Sequence, residues 1–158
     1  MDFAIGDVVY LKDDPKKLMT VYMVFGFSES SDYEFHEMGF GFGDVQCIWF
    51  DGDNLAMDFY SENMLELKNR STRPVLNPGD IVCLKSNPET VLTVSFVVGS
   101  PENPFNEDHR EMGLNDGDVQ CKWEYGSKFK FLFLYAAMLE KKKTISFFGK
   151  KIIQFPTR

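Results

Sequence analysis

Gly43-Asp44-Val45-Gln46-Cys47-Ile48-Trp49 returns 74 residues later as Gly117-Asp118-Val119-Gln120-Cys121-Lys122-Trp123, and this pairing decides how the whole chain is read. Upstream, Gly6-Asp7-Val8-Val9-Tyr10-Leu11-Lys12 matches Gly79-Asp80-Ile81-Val82-Cys83-Leu84-Lys85. Pro15/Pro88, Thr20-Val21/Thr93-Val94 and Gly26/Gly99 follow at the same offset of 73. Downstream come Phe59/Phe133 and Met64-Leu65-Glu66/Met138-Leu139-Glu140. Residues 6–26 and 37–67 share 24 identities over 52 positions with their counterparts. A period longer than the roughly 20–50 residues of solenoid repeats makes each copy a small domain in its own right.

Within a copy the apolar period is two, the pattern of strands with one buried face. Val45, Cys47 and Trp49 share one side of their strand, and Val119, Cys121 and Trp123 repeat that side. These sides are expected to form the cores. Other strands are expected at 7–12, 18–25, 55–60 and 64–67, with counterparts at 80–85, 91–98, 129–134 and 138–141. Asp13-Asp14-Pro15, Ser86-Asn87-Pro88, Asp51-Gly52-Asp53-Asn54 and Tyr125-Gly126-Ser127 break them as turns. Ser61-Glu62-Asn63 and Tyr135-Ala136-Ala137 suit a single helical turn before a short last strand. No segment sustains a 3.6-residue period. The fold class is therefore all-β: two tandem SH3-like small β-barrels with a C-terminal β extension. The first barrel is expected over residues 1–68 and the second over 77–140. Residues 69–76 link them, overlapping the polar, basic and proline-closed stretch 68–74, and 141–158 are expected to form a basic and apolar extension that packs on the barrels.

Composition narrows the function classes. The 158 residues are 44% apolar with only 7 prolines, which excludes a disordered or fibrous chain. No stretch approaches the roughly 18 uninterrupted apolar residues of a membrane helix, and the N-terminus reads as neither leader nor anchor. Three cysteines without compact spacing suit free thiols in a reducing compartment, so a cytoplasmic location is expected. Residues 1–73 carry a net charge of −8 and residues 74–140 one of −5, whereas the tail from Lys141 to Arg158 carries +6.

The order Gly-Asp-Val-Val-x-Leu-Lys, then Pro, a Thr-Val strand, Val-x-Cys-x-Trp-Phe-Asp-Gly, Phe and a closing Leu resembles the small bacterial YodC-like family. The resemblance covers nearly all of both copies but not the tail, and Cys-x-Trp followed by Gly is its most specific part. The second copy departs at Glu124-Tyr125, where the first has Phe50-Asp51. It implies the fold rather than an activity, since that family's function is uncharacterised.

The sites weigh against catalysis. His36-Glu37 and His109-Arg110-Glu111 fall at equivalent places in the long loops, each among acids, and would be the ligands if a metal were held. One histidine per loop lacks the paired spacing of zinc motifs, so no metal site and no cofactor are expected. Cys47 and Cys121 sit mid-strand beside tryptophan, where a thiol packs as a small hydrophobe. Gly-Asp at four strand starts is a turn signal before it is a pair of carboxylates. No phosphate loop, nucleophile elbow or metalloprotease motif occurs. The copies differ more informatively. Ile48 and Phe50 stand opposite the Cys/Trp side where the second copy has Lys122 and Glu124. Leu132 and Leu134 stand where the first has Asp58 and Tyr60. Read as barrel exteriors, these apolar positions need a cover, from the sister copy, the tail or a partner. Phe147 and Phe148 in the tail are candidates for the same interface.

The expectation is a non-catalytic interaction module for a protein partner, monomeric or weakly dimeric, with no membrane role. Nucleic-acid or ribosome association is disfavoured, because only the tail supplies clustered lysines. A metal-dependent hydrolase using the His/acid loops is the remaining alternative.

Overall fold

The computed structural model describes residues 2–26, 37–147 and 150–154, the chain beyond Lys143 by its backbone alone. It is all-β with almost no helix. Strands β1 (Val8–Leu11), β2 (Asp14–Val24), β3 (Val45–Asp51), β4 (Asn54–Tyr60) and β5 (Leu65–Asn69) form one antiparallel sheet in the order β4-β3-β2-β1-β5. Strands β6 (Ile81–Leu84), β7 (Asn87–Val97), β8 (Val119–Tyr125), β9 (Lys128–Leu134) and β10 (Leu139–Lys141) form a second sheet, ordered β9-β8-β7-β6-β10. The two orders are the same. Neither sheet pairs its edge strands with each other, so the two sheets make an open β sandwich. β11 (Lys143–Phe147) and β12 (Lys150–Gln154) pair only with each other among the described residues.

The recurring Gly-Asp explains where strands begin. Asp7, Asp44, Asp80 and Asp118 each accept the backbone N–H of the residue three earlier, at 2.8–2.9 Å, closing a tight turn on the strand entry. The other oxygens of Asp44 and Asp118 accept the N–H of Glu62 and Ala136, the first residues of two 3-10 turns (Glu62–Met64 and Ala136–Met138). One carboxylate thereby ties a central strand to the turn that launches the last strand.

Two expectations about extent are corrected. β2 starts at Asp14 rather than residue 18, because the reversal is made by Lys12 and Asp13 alone, with Leu11 opposite Asp14. Pro15 and Pro88 are tolerated inside β2 and β7 because those strand starts run past the paired stretches of β3 and β8, so the missing N–H costs no ladder bond. The loop before β8 also holds one short helix, α1 (Asn106–Glu111), whose six residues are too few to show a period in sequence.

The core is unequal. One cluster of Val9, Met19, Val21, Val45, Cys47, Tyr60 and Leu65 lies within the first sheet. A larger one joins Val82, Leu84, Leu92, Val94, Cys121, Trp123 and Leu134 of the second sheet to Ile48 and Phe50 of the first.

Candidate functional site

β3 is buried on both faces. Val45 and Cys47 point into the first sheet's own cluster, while Ile48 and Phe50, 0% and 6% exposed, leave water against the second sheet. The Phe50 ring meets Trp123 edge-on at 5.4 Å. Polar groups hold the register of this contact. Asn87 Oδ1 accepts the Phe50 N–H at 2.8 Å, and Asn87 Nδ2 donates to the Phe50 carbonyl at 3.3 Å. The Thr20 and Ser86 hydroxyls lie 2.7 Å apart, and Trp123 Nε1 donates to the Asp53 carbonyl at 3.0 Å. The outer face of the first sheet thus fills the Trp-lined mouth of the second.

The converse contact is not made. At the equivalent mouth of the first sheet Trp49 is only half-buried, with the Lys17 ammonium 4.0 Å above its ring. The sequence treated the two tryptophans alike; only Trp123 has a sister face to bury it. On the second sheet, the surface equivalent to Ile48 and Phe50 carries Lys122 and Glu124 and faces solvent. Beside them on β9, Phe129 and Phe131 are 57% and 59% exposed. A cleft of about 390 Å³ opens there, lined among others by Asp53, Glu89, Lys122, Glu124 and Phe129.

Leu132 and Leu134 require a correction. They are register partners of Cys121 and Val119, and directly opposed residues share a face, so they lie on the core side of β9 rather than outside. Leu134 is buried in the cluster that the second sheet shares with Ile48 and Phe50, and Leu132 packs partly against it. The residues on the outer side are Phe129, Phe131 and Phe133, which reading residue types alone did not single out. Phe147 lies in β11, and Phe148 and His36 fall outside the described residues.

Among the described residues the loop candidates do not converge. Glu37 and Glu111 are exposed. His109 is buried in α1, its ring 4.9 Å from Phe133 and its Nδ1 3.0 Å from Asn103 Nδ2. Asn103 Oδ1 accepts the Phe105 N–H, so Nδ2 is the amide nitrogen and His109 Nδ1 receives its hydrogen bond, leaving that lone pair engaged. The histidine staples α1 to the outside of the second sheet. Among the described residues no three His, Cys, Asp or Glu side chains are grouped to hold a metal ion. Cys47, Cys83 and Cys121 are all buried free thiols, and burial pushes Cys47 and Cys121 up to about 12 from 9.0. Cys47 and Cys121 stay protonated and pack as hydrophobes. No helix among the described residues is long and apolar enough to cross a membrane.

No protein-family model, curated protein or solved structure matches this chain.

Proposed function

We propose that the chain is a non-catalytic protein-binding module, two SH3-like barrels of duplicated origin whose second copy presents the binding surface. The observation that carries this reading is the pair of exposed aromatic side chains Phe129 and Phe131, 57% and 59% exposed on the outer face of β9. Clustered apolar side chains are scarce on a surface with no partner, and aromatic residues are enriched at protein interfaces. Ile48 and Phe50, the apolar pair that stands out in sequence, are consumed inside the molecule, whereas Phe129 and Phe131 stay exposed. The protonated thiols and the engaged His109 suit packing roles better than chemistry. The domain limits and the likeness to the YodC-like family belong to the same proposal, supported by the repeated Gly-Asp and Cys-x-Trp elements, as does a cytoplasmic setting, supported by the three free cysteines.

The test is capture from lysate with the full chain and with the Phe129→Ser, Phe131→Ser double variant as baits. A specific, nuclease-resistant protein retained by the first and lost by the second is expected. Equal capture by both baits, or capture that vanishes with nuclease, overturns the reading.

A further inference from the structure

β9 is an edge strand, and the phase of its hairpin fixes which backbone groups look outward. Tyr125 opposes Lys128 across the two-residue turn Gly126-Ser127, with Gly126 at φ +61°. In such a hairpin the pair flanking the turn exchanges both hydrogen bonds. Lys128, Lys130, Leu132 and Leu134 therefore turn their backbone groups toward β8. Phe129, Phe131 and Phe133 turn theirs away from the sheet, and no described strand pairs with them.

The equivalent edge, β4, is blunted. There Asp58 Oδ1 accepts the N–H of Phe59, one of that strand's outward amides, at 2.8 Å. In β9 the residue at the Asp58 position is Leu132, which has no acceptor to offer. The two edges share a topology, and this cap is present on β4 and absent from β9.

Side chains give the bare edge a character. Phe129 and Phe131 stand exposed on one face of the strand, and Lys128 and Lys130 stand exposed on the other. Lysine on an edge strand discourages strands of its own kind from pairing. That accounts for the lysines; it does not account for two phenylalanines held in water beside them. Both are met by an occupant whose apolar side chains cover the phenylalanines while its carboxylates lie beside the lysines. The basic tail of this chain has the wrong charge, and a second β9 would gather four ammonium groups on one face.

We propose that β9 accepts an extended segment of a partner polypeptide alternating acidic and apolar residues, added as a sixth strand to the second sheet. Main-chain hydrogen bonds to Phe129, Phe131 and Phe133 supply the affinity, and the alternation supplies the selectivity. The inference rests on the protein-binding reading above and names its occupant.

The probe is a dye-labelled seven-residue peptide alternating glutamate and valine, titrated into the full chain by fluorescence anisotropy. Lysine–valine and backbone N-methylated glutamate–valine peptides serve as comparisons. The acidic peptide is expected to bind, the N-methylated one to lose binding, and the basic one to bind at least about tenfold more weakly. The exposed double variant Lys128→Glu, Lys130→Glu, checked for its fold by circular dichroism, is expected to reverse the preference. Failure of the acidic peptide to bind, equal binding of all three peptides, or an unchanged preference in the variant overturns strand addition. So does self-association through β9 in sedimentation. Loss of strand addition while partner capture still depends on Phe129 and Phe131 removes this inference and leaves the module reading standing.

Discussion

Single side chains set this fold where a carboxylate or a thiol leaves water. Asp118, fully buried, holds the N–H groups of Asn115 and Ala136 and lies 3.5 Å from Arg73. Asp118→Ala strands those donors and is expected to cost about 2–4 kcal/mol in urea unfolding. Loss of less than about 1 kcal/mol would contradict the role assigned to it. Cys47 and Cys121 report burial through pH. In the folded chain they ionise at about 12 rather than 9.0, so above pH 9 only the unfolded chain releases these protons. Stability is present below that pH and falls as pH rises from 9 toward 12, by about 1.4 kcal/mol per unit for each thiol once the unfolded chain is ionised. A thiol-reactive dye at pH 8 is expected to label neither cysteine in native protein and both after unfolding; labelling of either in the native state would contradict the burial.

At the level of elements, equivalent positions in the two copies make internal controls. Asn87 and Asp14 open β7 and β2, yet only Asn87 grips a neighbouring peptide, that of Phe50. Asn87→Ala is expected to cost about 1–3 kcal/mol, and Asp14→Ala, at an exposed position, less than about 0.5. Gly6 and Gly79 have the same left-handed backbone, φ +89° and +86°, but a side chain at Gly6 would collide with the Ala137 carbonyl whereas Gly79 has open space. Gly79→Ala should cost about 1–2 kcal/mol from conformation alone, and Gly6→Ala about twice that or more. Equal costs would mean that the copies do not approach at Gly6. The strands were legible because alternation and turn residues are local properties, as Val45, Cys47 and Trp49 illustrate. The face of Leu132 was not, because a one-residue choice of hairpin phase decides it and Tyr125-Gly126-Ser127 admits more than one turn by sequence alone. The exposed edge was invisible for a related reason: which strand lies outermost is a property of the sheet, not of Lys128–Leu134.

For the whole molecule, the consequence is asymmetry built from near-identical parts. The first sheet gives its outer face to the second, through Ile48 and Phe50, and the second does not return the gesture because Lys122 and Glu124 stand at those positions. Burying two such side chains contributes about 3–6 kcal/mol, a large share of what holds a domain this size together. Phe129 and Phe131 stay exposed on the outer face of the second copy, and that is why the functional reading centres there. The most direct test is native-state hydrogen exchange by mass spectrometry on the unaltered chain in rising sub-denaturing urea. Amides of Ile48–Phe50 in β3 and of β7 are expected to converge on one opening free energy with one urea dependence, as a shared core demands. Separate openings, with the second sheet staying protected while β3 exchanges freely, would show that Ile48 and Phe50 are not committed within the molecule and would return them to the list of surfaces open to a partner.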